Sequence, residues 1–552
     1  MLLILKITLG ILFLELVSAQ LNNPIVETSL GKIKGTILKT EKDREFYAFR
    51  GIRYAESPIG DERFKAPIAV TKPWNGEYDA TKDGYMCPQV GPSEDLLSED
   101  CLIVNVYTTN LNASKPVIVY IHGGSDKDGG SHSVREAGPE YLMETEIVLV
   151  SLNYRLNALG FLTTRTSEAP GNFGFLDQIM ALKWVHENIE HFGGNSSSVT
   201  IFGASAGGMA VTLHVASPLS RGLFHRAIAM SGSAVNEQAI DNLHWTRKLA
   251  HETSCPMFNP EDLLSCLRKV PWQTIVQISK RWDLYGFADM KWNYEVDGHF
   301  LDFPPTKYFA QGNFSHVPIL TGLTKEEFRI MSQIHYDNPG LLNDIDFNLE
   351  KYSREFFMHD FGDPIEGKVE KLKTFYFKNE SMSTANLEKF GEALTDSFIN
   401  HGVHRLVDLA RKFVPVYYYR FDYKGSYGMF PNISDVYHGE EQIYIFKTNK
   451  PGAGISVKDK EWQMIETMVG IISTFAQNGV PPEFDNLKWQ PSNQTDVNTL
   501  YINETLKMDS PPFAERFQLW DNLFPVENIG SRLSICLTIM LIGVSVVFSV
   551  FV

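Results

Sequence analysis

The sequence predicts an α/β fold in which a large central, mostly parallel sheet is flanked by helices and carries helical insertions. Charge-free runs at residues 117–121, 147–152 and 199–202 are typical of strands that are covered on both faces. Apolar residues recur every three or four positions across residues 176–192, which predicts a helix between two of these strands. Strands therefore alternate with helices, and no linker rich in proline, glycine or serine divides the chain. We expect one large domain over residues 20–527.

The remaining elements are predicted from shorter patterns. Residues 31–38 are expected to form part of a hairpin of short alternating strands. The other predicted elements, in chain order, are strands within 46–52 and 98–107, a short strand at 227–230, an irregular and helical stretch at 235–310, a strand at 317–321, helices within 340–410, a strand at 414–421 and a helix around 464–475. Pro415 places the strand at 414–421 near an edge of the sheet, because proline cannot donate to a strand ladder.

The stretch 199–208 holds a strand, a Gly-x-Ser-x-Gly turn centred on Ser205 and the start of a helix. Alone, the Gly-x-Ser-x-Gly pattern fits a flexible loop better than a catalytic turn. The strand before it and the helix after it instead favour a nucleophile elbow, a tight turn that tolerates only small neighbours beside the serine. Ser205 would then project at the carboxyl end of the sheet, and the chain must also supply a base, an acid and an oxyanion hole.

Composition and charge limit the classes of partner. At 552 residues the chain can bury a large core, and its 43% apolar and 21% charged residues are typical of a globular protein. The formal net charge of -16 leaves no basic excess. Nucleic acid and anionic membrane surfaces are therefore not expected as partners.

The N-terminus predicts a secretory signal over residues 1–19. Lys6 and Glu15 are the only charges between residues 2 and 16, and small residues at 17–19 precede an expected cleavage near Gln20. An uncleaved membrane anchor is the alternative, but the apolar run is short for one. Export implies an oxidising compartment, where the seven Asn-x-Ser/Thr sequons are candidates for glycosylation: Asn112, Asn195, Asn313, Asn379, Asn432, Asn493 and Asn503.

Five cysteines are present, and four of them form two pairs of near neighbours in the sequence. Cys87 lies close to Cys101, and Cys255 lies close to Cys266, so two local disulfides are the economical interpretation in an oxidising compartment. Cys536 is left over.

The C-terminal tail, residues 528–552, predicts attachment to a membrane. Residues 533–552 carry no charge and are long enough for a single span. The cluster of lysine and arginine that normally marks a cytoplasmic flank is missing. Small polar residues such as Asn528 and Ser531 precede the run, as in a glycolipid-anchor signal. Anchor and span remain alternatives, and both predict an extracellular protein of the secretory pathway attached to the outer cell surface.

Several motifs carry a family resemblance: 49–52 (FRGI), 99–102 (EDCL), 122–124 (HGG), 153–155 (NYR), 202–208 (FGASAGG) and 438–439 (HG). Their joint occurrence in this order makes residues 23–524 similar to the type-B carboxylesterase family, the α/β-hydrolases that include cholinesterases and insect esterases. The resemblance implies an α/β-hydrolase fold with a mixed sheet of eight or more strands. It also implies hydrolysis of carboxylic esters without a metal or cofactor, so a small-molecule ester is the expected partner, while the oligomeric state stays open.

The resemblance assigns a catalytic triad residue by residue. Ser205 matches the nucleophile and His438 the base, while Glu327 matches the acid, with Glu326 as the alternative. The order serine, acid, histidine is the one this fold uses. Histidine can take the serine proton and return it to the leaving alcohol, and a carboxylate fixes the histidine tautomer. Backbone N–H groups must hold the tetrahedral oxyanion, and the candidates are those of Gly124, Ser125 and Ala206.

Structural pairs also follow from the resemblance. It implies buried ion pairs between Arg50 and Glu99 and between Arg155 and Asp177. The implied disulfides are Cys87–Cys101 and Cys255–Cys266.

Three departures from the family pattern bear on function. Ala204 precedes the nucleophile where many members have glutamate, which argues against a cationic substrate. Ser125 and Asp126 stand where the family usually has a small residue and then an aromatic one. The Ser125 N–H can still donate, but its Cβ and the neighbouring carboxylate are expected to crowd the oxyanion hole or repel the developing oxyanion. The segment between Cys87 and Cys101 is short and lacks the tryptophan with which cholinesterases bind quaternary ammonium groups.

Two hypotheses of function remain. The first is a serine carboxylesterase that acts on apolar, xenobiotic or lipid-like esters through an acyl-enzyme. The second is a non-catalytic adhesion protein of the cell surface on the same fold, like the neuroligins. The intact triad favours the first.

Overall fold

The computed structural model describes residues 23–526 apart from 237–239, 284–289, 330–331, 333–338, 351–352, 354–356, 358, 360–365, 429–434, 450–453 and 486. The predicted signal at 1–19, the tail at 528–552, the sequon at Asn432 and Cys536 lie outside the described residues. Within the described part of the chain, no helix combines the length and the apolar character that crossing a membrane requires.

The strands are β1 (Ile25–Thr28), β2 (Gly31–Lys34), β3 (Thr36–Lys39), β4 (Glu45–Arg53), β5 (Tyr78–Asp79), β6 (Ile103–Thr108), β7 (Lys115–Ile121), β8 (Val148–Leu152), β9 (Gly194–Ala204), β10 (Arg226–Met230), β11 (Ile319–Thr324), β12 (Val416–Phe421), β13 (Thr499–Ile502) and β14 (Lys507–Asp509). The α-helices are α1 (Asn157–Phe161), α2 (Phe173–Asn188), α3 (Ala206–Ala216), α4 (Asn242–Glu252), α5 (Pro260–Leu267), α6 (Trp272–Arg281), α7 (Pro305–Gln311), α8 (Pro339–Phe347), α9 (Glu366–Leu372), α10 (Leu387–Thr395), α11 (His401–Ala410), α12 (Trp462–Asn478) and α13 (Ala514–Leu523).

Eleven strands form the main sheet, in the order β14-β13-β12-β11-β10-β9-β7-β8-β6-β4-β3. Every neighbouring pair from β13 to β8 is parallel. The pairs at the two ends of the sheet are antiparallel. Strands β1, β2 and β5 form a separate small sheet. The predicted α/β architecture with a large, mostly parallel sheet is therefore confirmed.

The two faces of the sheet bury different sets of side chains. Val117, Val119 and Ile121 of β7 belong to one hydrophobic core, and Ile118 and Tyr120 of the same strand belong to the other. Side chains of α3 fill the first core and side chains of α12 fill the second. Because successive side chains of a strand point to opposite faces, a strand covered on both faces needs an uninterrupted apolar run. This is the pattern seen at residues 117–121.

The structure corrects two predictions about strands. The run at 31–38 does not stay in one hairpin, because β2 pairs with β1 in the small sheet while β3 pairs with β4 in the main sheet. The strand predicted at 414–421 is not near an edge, since β12 lies between β11 and β13. Pro415 precedes β12, so its missing N–H costs no ladder bond, and its carbonyl accepts a hydrogen bond from the Ile319 N–H at 3.0 Å.

The helix predicted at 176–192 is present with different ends. Helix α2 begins at Phe173, and its last turn tightens into a 3-10 helix at Ile189–Phe192 before Gly193. Strand β9 then begins at Gly194 and delivers the chain directly to the elbow at its carboxyl end.

Candidate active site

Ser205 lies between the end of β9 and the start of α3 in a strained backbone conformation, with φ 59° and ψ -127°. Its N–H donates to the Met230 carbonyl at 2.9 Å, and its own carbonyl accepts from the Met209 N–H at 3.0 Å. A Cβ added to Gly207 would lie 2.2 Å from the Ile121 carbonyl oxygen, so no larger residue fits there. This strand-to-helix turn has the features of a nucleophile elbow and presents Ser205 at the carboxyl end of the sheet.

The parallel register brings three loops to the same edge of the sheet. Ala204, Met230 and Gly322 are aligned across β9, β10 and β11. Ser205 and Ser231 directly follow the first two of these residues. The loop that carries the predicted acid begins after Thr324, at the end of the third strand.

Glu327, which is buried, pairs with His438, whose side chain is 10% exposed. The Nδ1 atom of His438 lies 2.5 Å from Oε2 of Glu327, and the His438 N–H donates to the Glu327 carbonyl at 3.1 Å. The other carboxylate oxygen of Glu327, Oε1, accepts from the Thr324 N–H at 2.6 Å and from the Ser231 hydroxyl at 2.7 Å. Glu327 is fully buried and has a φ of 31°. This geometry fixes the imidazole with its Nδ1 toward the carboxylate, as a general base requires.

The alternative acid, Glu326, has a different partner. Its Oε2 atom pairs with Nη1 of Arg329 at 3.0 Å, and Arg329 also contacts Asp435 at 2.8 Å. Glu326 therefore belongs to a partly exposed ion-pair network, whereas its neighbour Glu327 contacts the histidine.

The Nε2 atom of His438 is buried and makes no hydrogen bond within the part of the chain that the structure describes. The Phe328 ring packs against the imidazole, with the ring centroids 4.2 Å apart. In unliganded enzymes the hydrogen bond between base and nucleophile is often long and shortens only when substrate binds. Nε2 thus has an unused lone pair for the proton of a nucleophile.

A second carboxyl group lies beside the pair and was missed by sequence reasoning. The Ser231 hydroxyl contacts Oε1 of Glu327 at 2.7 Å and Oε1 of Glu441 at 3.1 Å. Burial, together with the nearby charge of Glu327, raises the pKa of Glu441 to about 8. A protonated Glu441 keeps a second negative charge away from Glu327. The available signal was position, since Ser231 follows the strand next to β9 and Glu441 lies three residues after His438.

The predicted oxyanion loop directly follows β7 and lies against the elbow. A Cβ added to Gly123 would be 3.1 Å from the Ser205 Cβ, so the loop contacts the nucleophile turn. Gly124 and Ser125 both have positive φ, at 108° and 54°, and the Gly124 carbonyl accepts from two N–H groups further along the loop. Ala206, the first residue of α3, contributes its N–H from the positive end of the helix dipole. The oxyanion role of these three residues stays a prediction.

Apolar side chains line the site on the other side of the elbow. Met209, in the first turn of α3, packs with Met290, Ile240 and Phe398. Phe398 in turn contacts the Phe328 ring at a centroid distance of 5.6 Å. The Phe328 ring that packs on His438 is therefore continuous with an apolar cluster beside the elbow.

One of the implied ion pairs is wrong. Arg50 pairs with Asp83 at 2.9 Å, and Glu99 instead accepts from Nε of Arg63 at 2.7 Å. Arg50 is held beside the 80–84 segment because its N–H donates to the Ala80 carbonyl at 2.8 Å. The guanidinium of Arg63 also donates to two backbone carbonyls, which places it rather than Arg50 opposite Glu99.

The other implied structural pairs are present. Nε and Nη2 of Arg155 contact the two carboxylate oxygens of Asp177 at 2.8 and 2.7 Å, and both side chains are buried. The structure also contains the disulfides Cys87–Cys101 and Cys255–Cys266.

No group of three or more metal-ligating side chains occurs among the described residues. The six described sequons are all at least partly exposed, which is the state that glycosylation requires: Asn112, Asn195, Asn313, Asn379, Asn493 and Asn503.

The chain is similar to known esterases over nearly its full length. The model of the carboxylesterase family matches residues 22–520. Juvenile hormone esterase of Tribolium castaneum is 32% identical to this chain, and the alignment spans 92% of this chain and 95% of that esterase. Esterase FE4 of Myzus persicae is 33% identical, and the alignment spans 85% of this chain and 87% of that esterase. The crystal structure of juvenile hormone esterase from Manduca sexta, with OTFP covalently attached, superposes on this chain with a TM-score of 0.82. The two sequences are 26% identical, and the superposition spans 91% of this chain and 100% of that chain.

Nothing in these relatives favours the alternative of a non-catalytic adhesion protein. The fold, the elbow and the similarity to esterases identify the chain as a serine hydrolase of carboxylic esters that belongs to the carboxylesterase family.

Proposed function

We propose that Ser205 is the nucleophile, His438 the general base and Glu327 the orienting acid of this esterase. One observation carries the proposal: Glu327 holds Nδ1 of His438, whose buried Nε2 is unpartnered among the described residues, at the sheet edge where the strained Ser205 turn lies. The three groups have the chemistry of an acyl-transfer triad.

In the proposed mechanism, Ser205 Oγ attacks the ester carbonyl while Nε2 of His438 removes the hydroxyl proton. The tetrahedral intermediate then collapses, and the imidazolium gives that proton to the departing alcohol. Water attacks the resulting acyl-enzyme with His438 again as base, and release of the carboxylic acid restores the Ser205 hydroxyl. Glu327 stabilises the imidazolium in both halves of the reaction.

We infer that the N–H groups of Gly124, Ser125 and Ala206 hold the oxyanion. The first two come from a loop in contact with the Ser205 turn, and the third begins the helix that follows it. Removing one such donor from a hydrolase costs about 3–4 kcal/mol of transition-state stabilisation.

Uncharged, apolar esters are the proposed substrate class. Ala204 carries no charge beside the nucleophile, and Phe328, which packs on His438, joins an apolar cluster that includes Phe398 and Met209. A choline ester and its neutral 3,3-dimethylbutyl isostere provide a direct comparison. We expect kcat/KM for the neutral ester to be higher by about fivefold or more, because Ala204 carries no charge and the described side chains that pack next to His438 are apolar. A preference for the choline ester would contradict this substrate class.

The test of the catalytic assignment is turnover of p-nitrophenyl acetate together with labelling by an organophosphate. The native protein should hydrolyse the ester and take up one label, and Ser205→Ala should do neither. Ser473→Ala, which removes a buried hydroxyl in α12, is the matched control and should behave as the native protein. A folded, glycosylated native sample that neither hydrolyses the ester nor takes up the label would overturn the assignment. Equal turnover and labelling in the native protein and Ser205→Ala would overturn it as well.

We also propose that the chain is exported and held at the outer cell surface. The signal-like residues 1–19, the apolar tail at 528–552, the two disulfides and the exposed sequons support this location. In a secretory host, removal of N-glycans should increase gel mobility. A phospholipase specific for glycolipid anchors should release the protein if the tail is an anchor signal, and retention after treatment would instead support a single span. Accumulation of unglycosylated protein in the cytosol would contradict export.

A further inference from the structure

Asp126 is a buried carboxyl group in the loop that carries two of the proposed oxyanion donors. It directly follows Ser125, is only 2% exposed and has a φ of 55°. Its backbone carbonyl accepts from the Asn157 N–H at 2.8 Å. The Asn157 side-chain amide donates to the Lys127 carbonyl at 2.9 Å, so the far end of the loop is tied to the start of α1.

Tyr154 joins Asp126 to the beginning of the same loop. Its hydroxyl oxygen lies 3.0 Å from the His122 carbonyl oxygen and 3.3 Å from Oδ1 of Asp126. The hydroxyl bridges the end of β7 and the turn that follows Ser125. The direction of the intervening peptide groups, which include the N–H of Gly124 and of Ser125, is thereby fixed.

The bridge consists of three oxygen atoms: the His122 carbonyl, the Tyr154 hydroxyl and Oδ1 of Asp126. When Asp126 is ionised, these atoms have one proton between them for two contacts. A carbonyl and a carboxylate only accept, and the Tyr154 hydroxyl has one proton to donate. Only one of its two contacts can then be a hydrogen bond. When Asp126 is protonated, it donates to the Tyr154 oxygen, and Tyr154 donates to the His122 carbonyl. The bridge is complete only in the protonated form.

The surroundings of Asp126 favour its protonated form up to about neutral pH. Burial raises the pKa of Asp126 to about 7, and the hydrogen bond from Tyr154 lowers it only in part. Burial also raises the pKa of Tyr154 well above its usual value, so Tyr154 keeps its proton. Among the described residues, the other titratable groups near the bridge are Tyr120 of β7, His122, and Asp128 and Lys127 of the same loop. The His122 ring stacks on Tyr154 with the ring centroids 4.4 Å apart, and Lys127 pairs with Asp283 at 3.1 Å.

We propose that Asp126 is a positioning residue that holds the oxyanion loop in its protonated form, and that ester hydrolysis slows when Asp126 ionises. The proposal rests on the proposed function of Gly124 and Ser125 as oxyanion donors. Ionisation has two effects. It removes one of the two hydrogen bonds of the bridge, and it places a buried negative charge one residue from a group that must stabilise an oxyanion, where low dielectric strengthens the repulsion.

The first test compares the pH dependence of kcat/KM for p-nitrophenyl acetate in the native protein, Asp126→Asn and Asp95→Asn, the last being an exposed control. In the native protein the rate should fall as Asp126 ionises. An asparagine side chain is not ionisable, so the fall should disappear in Asp126→Asn. The ratio of variant to native kcat/KM should then increase at least about fivefold between about pH 6 and pH 9. Parallel profiles for native and Asp126→Asn would overturn the proposal.

A second variant keeps the proposal testable if Asp126→Asn does not fold. Tyr154→Phe removes the hydroxyl that links Asp126 to the His122 carbonyl, so the pH at which the falling limb lies should shift. An unchanged limb would contradict a direct link between the two groups.

Difference infrared spectroscopy provides a readout that does not depend on activity. At about pH 6 the native protein should show a protonated carboxyl stretch that Asp126→Asn lacks, and its absence would overturn the proposal. Active native protein with parallel pH profiles refutes this inference alone. A folded native protein without esterase activity refutes the proposed function and, with it, the effect of Asp126 on rate, even if the infrared band is present.

Discussion

Replacing Glu327 with glutamine tests the role of the carboxylate without removing volume. The carboxylate contacts His438 Nδ1 at 2.5 Å and accepts two further hydrogen bonds on its other oxygen, from the Thr324 N–H and the Ser231 hydroxyl. A glutamine can keep those two contacts through its carbonyl, but it then offers an N–H group to Nδ1. The imidazole must therefore carry its proton on Nε2, where it cannot accept the Ser205 proton.

The same wrong tautomer in another serine hydrolase lowers kcat by about 10⁴. We expect Glu327→Gln to lower kcat for p-nitrophenyl acetate by about this factor, equivalent to about 5.4 kcal/mol. KM should change little, because the carboxylate does not touch the substrate. Steady-state kinetics measures both constants, and thermal unfolding checks that the variant is folded.

Glu326→Gln is the matched control, because Glu326 pairs with Arg329 in a partly exposed network and not with the histidine. We expect it to retain kcat within about threefold, as is usual for such ion pairs. A loss of less than about tenfold in Glu327→Gln, or an equal loss in the two variants, would refute the role of Glu327 as the orienting acid.

Three further predictions concern stability. Arg155→Met should cost about 3–5 kcal/mol in urea unfolding, because it leaves the Asp177 carboxylate buried and unpaired; a cost below about 1 kcal/mol would contradict this. Burial raises the pKa of Glu441 to about 8, so between about pH 5 and 8 the folded chain holds a proton that the unfolded chain has lost. The free energy of unfolding should therefore fall as pH rises through this range. Glu441→Gln should flatten the fall, and parallel curves for the native protein and the variant would refute this role of Glu441. Replacing Cys255 and Cys266 by serine opens a loop of sequence separation 11 and should cost about 3 kcal/mol, whereas an unchanged melting temperature would show that the bond adds no stability.

The elbow was predictable from sequence because its determinants are local. A charge-free strand, small residues around Ser205 and a helix within ten positions are enough to specify the turn. Glu327 and His438 are 111 residues apart, and only the family resemblance joined them before the structure. The choice between Glu326 and Glu327 likewise depends on which side chain the loop after β11 turns inward.

Other features depended on tertiary contacts that no local pattern contains. The partner of Arg50 is decided by which loop packs against β4, and the interior position of β12 is decided by two strands that follow it much later in the chain. Asp126 is an acidic residue on a loop, for which exposure is the ordinary expectation. Its burial follows from the position of Tyr154 after β8, and Glu441 is buried beside Glu327 for a similar reason.

If Ser205 is the nucleophile, an acyl-enzyme forms on its hydroxyl and can be trapped. A rapid acid quench of the native protein with p-nitrophenyl acetate, followed by peptide mass spectrometry, should find one acetyl group on Ser205, formed in a burst of p-nitrophenol. Glu327→Gln should form the same adduct much more slowly, and Ser205→Ala should form none. Turnover without an acetyl group on Ser205, or with the adduct on another residue, would contradict the account.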